Sequence, residues 1–186
     1  MSAPLRTHSF TVDEYHRMAE AGVFHEDDRV ELIDGQVVQM TPIGPRHAFC
    51  VDRFTGLLSR LVGDSAIVRV QSPVMLGPRA EVEPDLALLR PPFERYREVH
   101  PGPADVMLAI EVADTSLEYD RSVKIPLYAT AGITEVWLVD LPANRIQVYR
   151  NPARGNYDEV TSVSPGEMLT PLLLTGAQLT VADVLG

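Results

Sequence analysis

The sequence predicts an α/β fold, a mixed sheet flanked by helices and preceded by an N-terminal helix and hairpin. Three observations carry that expectation. Short apolar runs bounded by proline, glycine and charge, over residues 86–89, 107–113 and 135–140, have the length of buried strands. Two longer segments, from residue 45 to about 61 and from 117 to about 131, repeat apolar residues at helical spacing. Between two strand-like runs stands Asp34-Gly35, a pair that accepts the positive φ of a tight hairpin turn.

Taken in order, Thr11-Val12-Asp13-Glu14 is a capping-box pattern that opens a helix reaching about Ala21, with Gly22 as its stop. Residues 29–33 and 36–40 form the hairpin around Asp34-Gly35. In the helix that follows, Ala48, Val51, Phe54, Leu58 and Leu61 make an apolar stripe for the core. Arg46, Arg53 and Arg60, seven residues apart, make a second stripe, either a solvated face or a track for phosphates. Strands are expected over 66–71, 86–89 and 107–113, and residues 90–103, rich in proline and charge, read as a loop. Pro126 interrupts the helix over 117–131, removing a backbone donor and crowding the carbonyl of Ser122, so a kink is expected before Gly132 ends it. The strand over 135–140 and an antiparallel pair over 145–149 and 157–162 complete a single domain spanning residues 1–186.

Composition narrows the function classes. A net charge of −10 argues against a protein that coats nucleic acid nonspecifically, because phosphate binding depends on clustered lysine and arginine. It leaves room for a nuclease whose acidity is partly a metal site. No stretch approaches the ~20 apolar residues of a membrane span, no secretory signal opens the chain, and the single cysteine, Cys50, fits a core position in a reducing compartment. A cytoplasmic protein is expected. The sequence has no phosphate-cradling Gly-rich loop, no Gly-x-Ser-x-Gly elbow and no local Cys/His spacing for zinc. Trp137 reads as core packing.

Three residues carry the chemistry. Lys124 is the only lysine beside fifteen arginines. It offers a compact ammonium, where arginine offers a fixed fork, and its pKa can move on desolvation. Glu111 lies inside an apolar strand and Asp85 at the mouth of another, after Glu83-Pro84; carboxylates so placed must be paired or bind a metal. Alternation puts Met107, Ala109, Glu111 and Ala113 on one face of their strand, and the small neighbours leave room beside Glu111. Asp120 and Lys124 could form an exposed i, i+4 pair, or the ammonium could turn towards Glu111.

The order of Pro84-Asp85-Leu86-Ala87, Ile110-Glu111-Val112, Ser116, Asp120, Lys124, Tyr128, Gly132-Ile133 and Val136-Trp137-Leu138-Val139-Asp140 resembles the PD-(D/E)XK nuclease superfamily. It is more closely similar to the Uma-type family of restriction endonucleases of bacteria. Glu31-Leu32-Ile33-Asp34-Gly35 and His47 look like that family's N-terminal half, and the resemblance runs from residue 10 to about 149. It implies a restriction-endonuclease-like fold and a metal-dependent endonuclease that hydrolyses DNA. One departure is plain: where the superfamily pattern has lysine two residues after the acid, this chain has Ala113, and the resemblance implies that Lys124, from the next helix, takes that place.

On this reading Asp85, Glu111 and the backbone carbonyl of Val112 are the candidate ligands of Mg²⁺ or Mn²⁺, ions that prefer oxygen donors. Asp85, Glu111, Lys124 and Glu31 are the candidate catalytic residues. Glu31 is either a further ligand or water-holder, or a surface carboxylate of the hairpin. His47, Arg46 and Arg53 are candidate contacts to the substrate, with His47 otherwise structural. Glu81 and Glu83 share alternation with Asp85, so either could stand behind the metal ligands, but both are expected on a solvated strand face. Cutting duplex DNA calls for two sites, and Leu172-Leu173-Leu174 offers apolar surface, so a homodimer is expected. The alternative function is a non-catalytic interaction protein that keeps the nuclease fold for a partner or a second copy.

Overall fold

The computed structural model describes residues 7–25 and 27–186. Helix α1 (Val12–Glu20) begins as its capping box requires: Thr11 Oγ1 accepts from the Glu14 N–H, and the Glu14 carboxylate accepts from the Thr11 N–H. Strands β1 (Val30–Ile33) and β2 (Gln36–Gln39) pair antiparallel around Asp34 and Gly35, whose φ values are +49° and +76°. A Cβ on Gly35 would strike Ser9 Oγ and the Phe10 carbonyl, so the turn needs glycine for space as well as for φ.

Helix α2 (Pro45–Val62) starts with proline in its first turn, where the missing donor costs nothing. After β3 (Ile67–Val70) come two strands that the sequence did not announce, β4 (Val74–Gly77) and β5 (Ala80–Val82). They are only four and three residues long and lie between Ser72-Pro73 and Pro84, so turn signals mask them. They join the first hairpin in a four-stranded antiparallel sheet ordered β2-β1-β5-β4.

The larger sheet has six strands. With β6 (Leu86–Leu89), β7 (Val106–Ala113), β8 (Glu135–Asp140), β9 (Arg145–Ala153) and β10 (Asn156–Val163), its order is β10-β9-β8-β7-β6-β3. Only β7 and β8 pair in parallel, so the sheet is mixed and their connection crosses one face. The loop over 90–103 holds a 3₁₀ turn, Phe93–Tyr96, anchored by the buried Tyr96, whose hydroxyl donates to the Arg90 carbonyl.

Alternation along the central strands builds two cores. Leu86, Leu88, Leu108, Ile110, Val112, Trp137 and Val139 pack against Phe54, Leu58 and Val62 of α2. Fully burying residues such as Phe54 and Leu58 contributes roughly 1.5–3 kcal/mol each. On the other side Ala87, Leu89, Ala109, Ala113, Val136 and Leu138 meet Ile125, Tyr128 and Ala129. Met107 departs from the expected face and joins the α2 side. The register slips between Leu88 and Leu89, which pair with Leu108 and Val106, and leaves Met107 as the extra residue of a bulge.

The crossover is helical but not regular. A short α3 (Leu117–Tyr119) leads into a π-helical turn, Asp120–Lys124, and then into α4 (Ile125–Ala131), closed by Gly132 at φ +84°. The Ile125 N–H reaches back five residues to the Asp120 carbonyl. Pro126 has no N–H to continue the ordinary ladder, and the expected kink takes the form of this wider turn. The chain ends in a small pair, β11 (Met168–Leu169) with β12 (Leu179–Thr180), and α5 (Val181–Leu185), whose Val181 and Val184 join the α2 core.

Candidate active site

Asp85 stands at the entrance to β6, where Pro84 has ended the ladder of β5 and left a carboxylate pointing between strands. Its Oδ2 accepts the Val112 N–H of β7 at 2.8 Å and lies 3.0 Å from His47 Nε2 at the start of α2. Its Oδ1 accepts from Gln71 Nε2 at 3.1 Å. Gln71 takes a positive φ of +43° and also donates its own N–H to the Asp85 carbonyl, so the residue grips Asp85 twice. Burial by itself would push the Asp85 carboxyl up. The His47 hydrogen bond and charge, then the Val112 amide and Gln71, outweigh burial and hold the group below its ordinary value. Asp85 is therefore an ionised, fixed acceptor at neutral pH.

Glu111 is the opposite case. It is 3% exposed on the α4 side of β7, and its Oε1 accepts from the Tyr128 hydroxyl and lies 3.2 Å from Lys124 Nζ. Burial pushes its pKa to about 8 against the pull of Lys124, with Asp120, Asp85 and Glu31 adding repulsion. Glu31 comes from the other sheet. It is buried, its Oε1 accepts the Glu83 N–H at 2.7 Å, and the same oxygen lies 2.9 Å from Lys124 Nζ. Of the two readings of Glu31, the structure selects the inward one.

Lys124 thus sits between acids delivered by two sheets. Burial alone would lower its pKa, but Glu111 and Glu31 raise it, so the ammonium stays charged and acts as a fixed cation, not as a base. Asp120 is also buried, accepts from Ser116 Oγ at 2.6 Å, and has its pKa raised by burial. It makes no surface pair with Lys124. Asp120 and Lys124, four residues apart, are the two buried residues of the wide turn.

These groups line one pocket of about 440 Å³ that contains Arg29, Glu31, His47, Asp85, Glu111, Val112, Asp120 and Lys124. Five carboxyls, of Glu31, Asp85, Glu111, Asp114 and Asp120, against the cations of Lys124 and Arg29 leave the pocket short of positive charge, and burial favours a proton on Glu111 in compensation. A hard divalent cation fits that deficit and that donor set, carboxylate oxygens with Val112 also lining the pocket. The residues present suit Mg²⁺ or Mn²⁺.

The other expected contacts divide. His47 reaches the pocket, held on Asp85, with its Nδ1 buried and without a partner among the described residues. Arg46 lies outside it, paired with the pocket residue Asp114 at 3.3 Å and donating to the Leu141 carbonyl. Arg53 is directed away, donating to the Asp183 carbonyl at the C-terminal helix. Its turn of α2 faces α5, so the structure gives it no place at the pocket. Glu81 is not on a solvated face; it is buried against His16, because β5 is an inner strand of the small sheet. Glu83 is half-buried. Gln71 carried no signal in the sequence, since its role depends on a backbone φ that propensity does not reveal. Cys50 is buried, its thiol pushed up to about 12, as a core residue should be.

Comparisons with known proteins give a consistent picture. The family model Uma2, described as "Putative restriction endonuclease", matches residues 12–182. No curated protein matches the chain. Among solved structures, the chain is similar to "a putative nuclease belonging to DUF820" from Anabaena variabilis ATCC 29413, with a TM-score of 0.73 and 17% identity, over 95% of this chain and 97% of that one. At that identity the likeness establishes the fold. Family and fold together suggest a restriction-endonuclease-like nuclease. No helix among the described residues is long and apolar enough to cross a membrane.

Proposed function

This chain belongs to the Uma2 family, and from that premise we propose that it is a metal-dependent endodeoxyribonuclease, hydrolysing phosphodiester bonds of DNA. One observation carries the reading. Asp85, Glu111 and Lys124, scattered over the sequence, meet with Glu31 around a single pocket large enough for a phosphate. Asp85, Glu111 and the Val112 carbonyl would hold the metal. When bound, Mg²⁺ or Mn²⁺ supplies charge against the phosphate and lowers the pKa of a water.

The chain's own groups do the rest. Ionised Asp85, fixed by His47, Gln71 and the Val112 amide, is a preformed acceptor that needs no reorganisation. Glu111 surrenders its proton when positive charge enters, and Tyr128 keeps its carboxylate aimed. Lys124, permanently cationic, donates hydrogen bonds that orient the attacking water and stabilise charge developing on the phosphate oxygens. Glu31 holds the ammonium in place between turnovers and can accept from the water. His47, held on Asp85 inside the pocket, and Arg46, beside it on Asp114, are the proposed contacts to the DNA backbone.

We further propose that the chain works as one nuclease domain in the cytoplasm and as a homodimer. The exposed Leu172 and Leu173, beside buried Leu174, give a second copy apolar surface to cover.

Calorimetric titration with Mn²⁺, paired with nicking of supercoiled plasmid, tests the reading. The wild type should bind Mn²⁺ and nick DNA; an Asp85→Asn, Glu111→Gln double variant should lose both. Equal weak binding by the two proteins would remove the metal site, and with it the nuclease, in favour of a non-catalytic interaction protein.

A further inference from the structure

A second group of metal-ligating side chains lies outside the pocket. His16 on α1, Glu81 on β5 and His100 in the loop over 90–103 bring one ligand atom each to within 4.8 Å of one another. None of the three lines the acidic pocket. Glu81 is 6% exposed, and both its oxygens lie at 2.9–3.0 Å from His16 Nε2. Among the described residues no arginine or lysine pairs with this buried carboxylate; imidazole is its whole compensation. The His100 ring stands edge-on to His16, with centroids 6.1 Å apart. The neighbouring Pro101 carbonyl accepts the Met75 N–H at 2.9 Å, which ties this loop to β4 and keeps His100 over the site.

We propose that His16, Glu81 and His100 form a second metal site, selective for a borderline transition ion of the zinc class and distinct from the Mg²⁺-type pocket. Ligand chemistry separates the two. Imidazole nitrogens favour Zn²⁺, whereas an all-oxygen set favours Mg²⁺ or Mn²⁺. Tetrahedral Zn²⁺ with bonds of ~2.0–2.1 Å spaces its ligand atoms at roughly 3.3–3.4 Å. The His16–Glu81 contact must open slightly to match that spacing. The exposed His100 must close by no more than about an ångström and a half, a side-chain adjustment at the surface. Two histidines and one carboxylate leave a fourth position for water. The ion would clip α1 and the 90–103 loop to β5, whose residue Glu81 pairs with Leu32, the neighbour of Glu31. The site therefore braces the small sheet that delivers Glu31 to Lys124.

The test measures zinc uptake by equilibrium dialysis against a competing chelator, and four-coordinate Co²⁺ by its visible absorption. Both are read in an Asp85→Asn, Glu111→Gln background, so that the acidic pocket contributes nothing. That background should take up one Zn²⁺ per chain, show the Co²⁺ bands and gain thermal stability with Zn²⁺. Adding His100→Ala should weaken uptake at least roughly tenfold, and adding His16→Ala with it should abolish uptake, bands and stabilisation. Both histidines are solvent-accessible, so circular dichroism should find these variants folded. Zinc uptake that survives loss of both histidines, or an absence of uptake at micromolar metal in the parent background, would overturn the site and leave His16–Glu81 as an ion pair alone.

Discussion

Replacing Lys124 by methionine keeps most of the side chain's volume and removes only its charge. In the folded protein Lys124 Nζ lies 2.9 Å from Glu31 and 3.2 Å from Glu111, all three buried. Breaking a buried pair by removing one partner costs about 3–5 kcal/mol, because the surviving charge stays desolvated. Here there are two survivors. The cost should also depend on pH. Glu111 titrates at about 8 in the fold against an ordinary 4.5, so the native state binds that proton more tightly than the unfolded chain and loses stability as pH rises from about 4.5 through about 8. Lys124 has its pKa raised above the ordinary 10.5, so its stabilisation is present throughout that window. Without the pull of the ammonium, the Glu111 carboxyl moves further up. Above about pH 8 the variant therefore still holds a proton that the wild type has released, and the destabilisation should grow there by up to about 1.4 kcal/mol per pH unit, from about pH 6 to about pH 9. Urea unfolding followed by the fluorescence of Trp137, the sole tryptophan and fully buried, measures both values. A difference below about 1 kcal/mol that is the same at both pH values would refute a buried, charge-coupled lysine.

Lys124→Arg keeps the charge, but the planar guanidinium cannot occupy the buried point between Glu31 and Glu111; plasmid nicking should fall by orders of magnitude and the unfolding midpoint should drop as well, and an undiminished rate would move the water-handling role to Glu31 or His47. Cys50, buried and with its thiol pushed up to about 12, should resist iodoacetamide in the native state and react in urea, so stoichiometric native labelling would contradict its place on the buried face of α2. Sedimentation at micromolar concentration should find twice the 20.5 kDa chain mass, and a monomer alone would contradict the homodimer.

The parts legible in the sequence are those set by local rules. Thr11 and Glu14 announce α1, Asp34-Gly35 announces its turn, and the alternation of Leu108, Ile110 and Val112 with Ala109, Glu111 and Ala113 assigns both faces of β7. Long periodic helices and continuous apolar strands leave few competing readings. What escaped depends on partners far away in sequence. The strands β4 and β5 are too short to show a period and exist because β1 offers an edge. Met107 changes face through a slip between neighbouring strands that no single strand encodes. Glu81 looked solvated because its compensating partner, His16, lies on a helix sixty-five residues earlier.

The same distinction governs the candidate site. Asp85 and Glu111 could be picked out because an acid within an apolar run conflicts with burial in any fold. The fate of Glu31 could not, since a carboxylate in a four-residue strand is equally at home on a surface. Its burial follows from the small sheet closing over α4 and from Lys124 being there to receive it. Ala113, fully buried beside Glu111, packs on the face covered by Ile125 and Tyr128, so the cation has to arrive from above the sheet. The π-helical turn before Pro126 brings it there. Asp120 and Lys124, four residues apart, both lie buried within that turn, and Tyr128 follows one turn later against Glu111. The crossover helix thus carries both Lys124 and Tyr128 to an acid thirteen and seventeen residues earlier in the chain, which is how the cation reaches the place that Ala113 leaves empty.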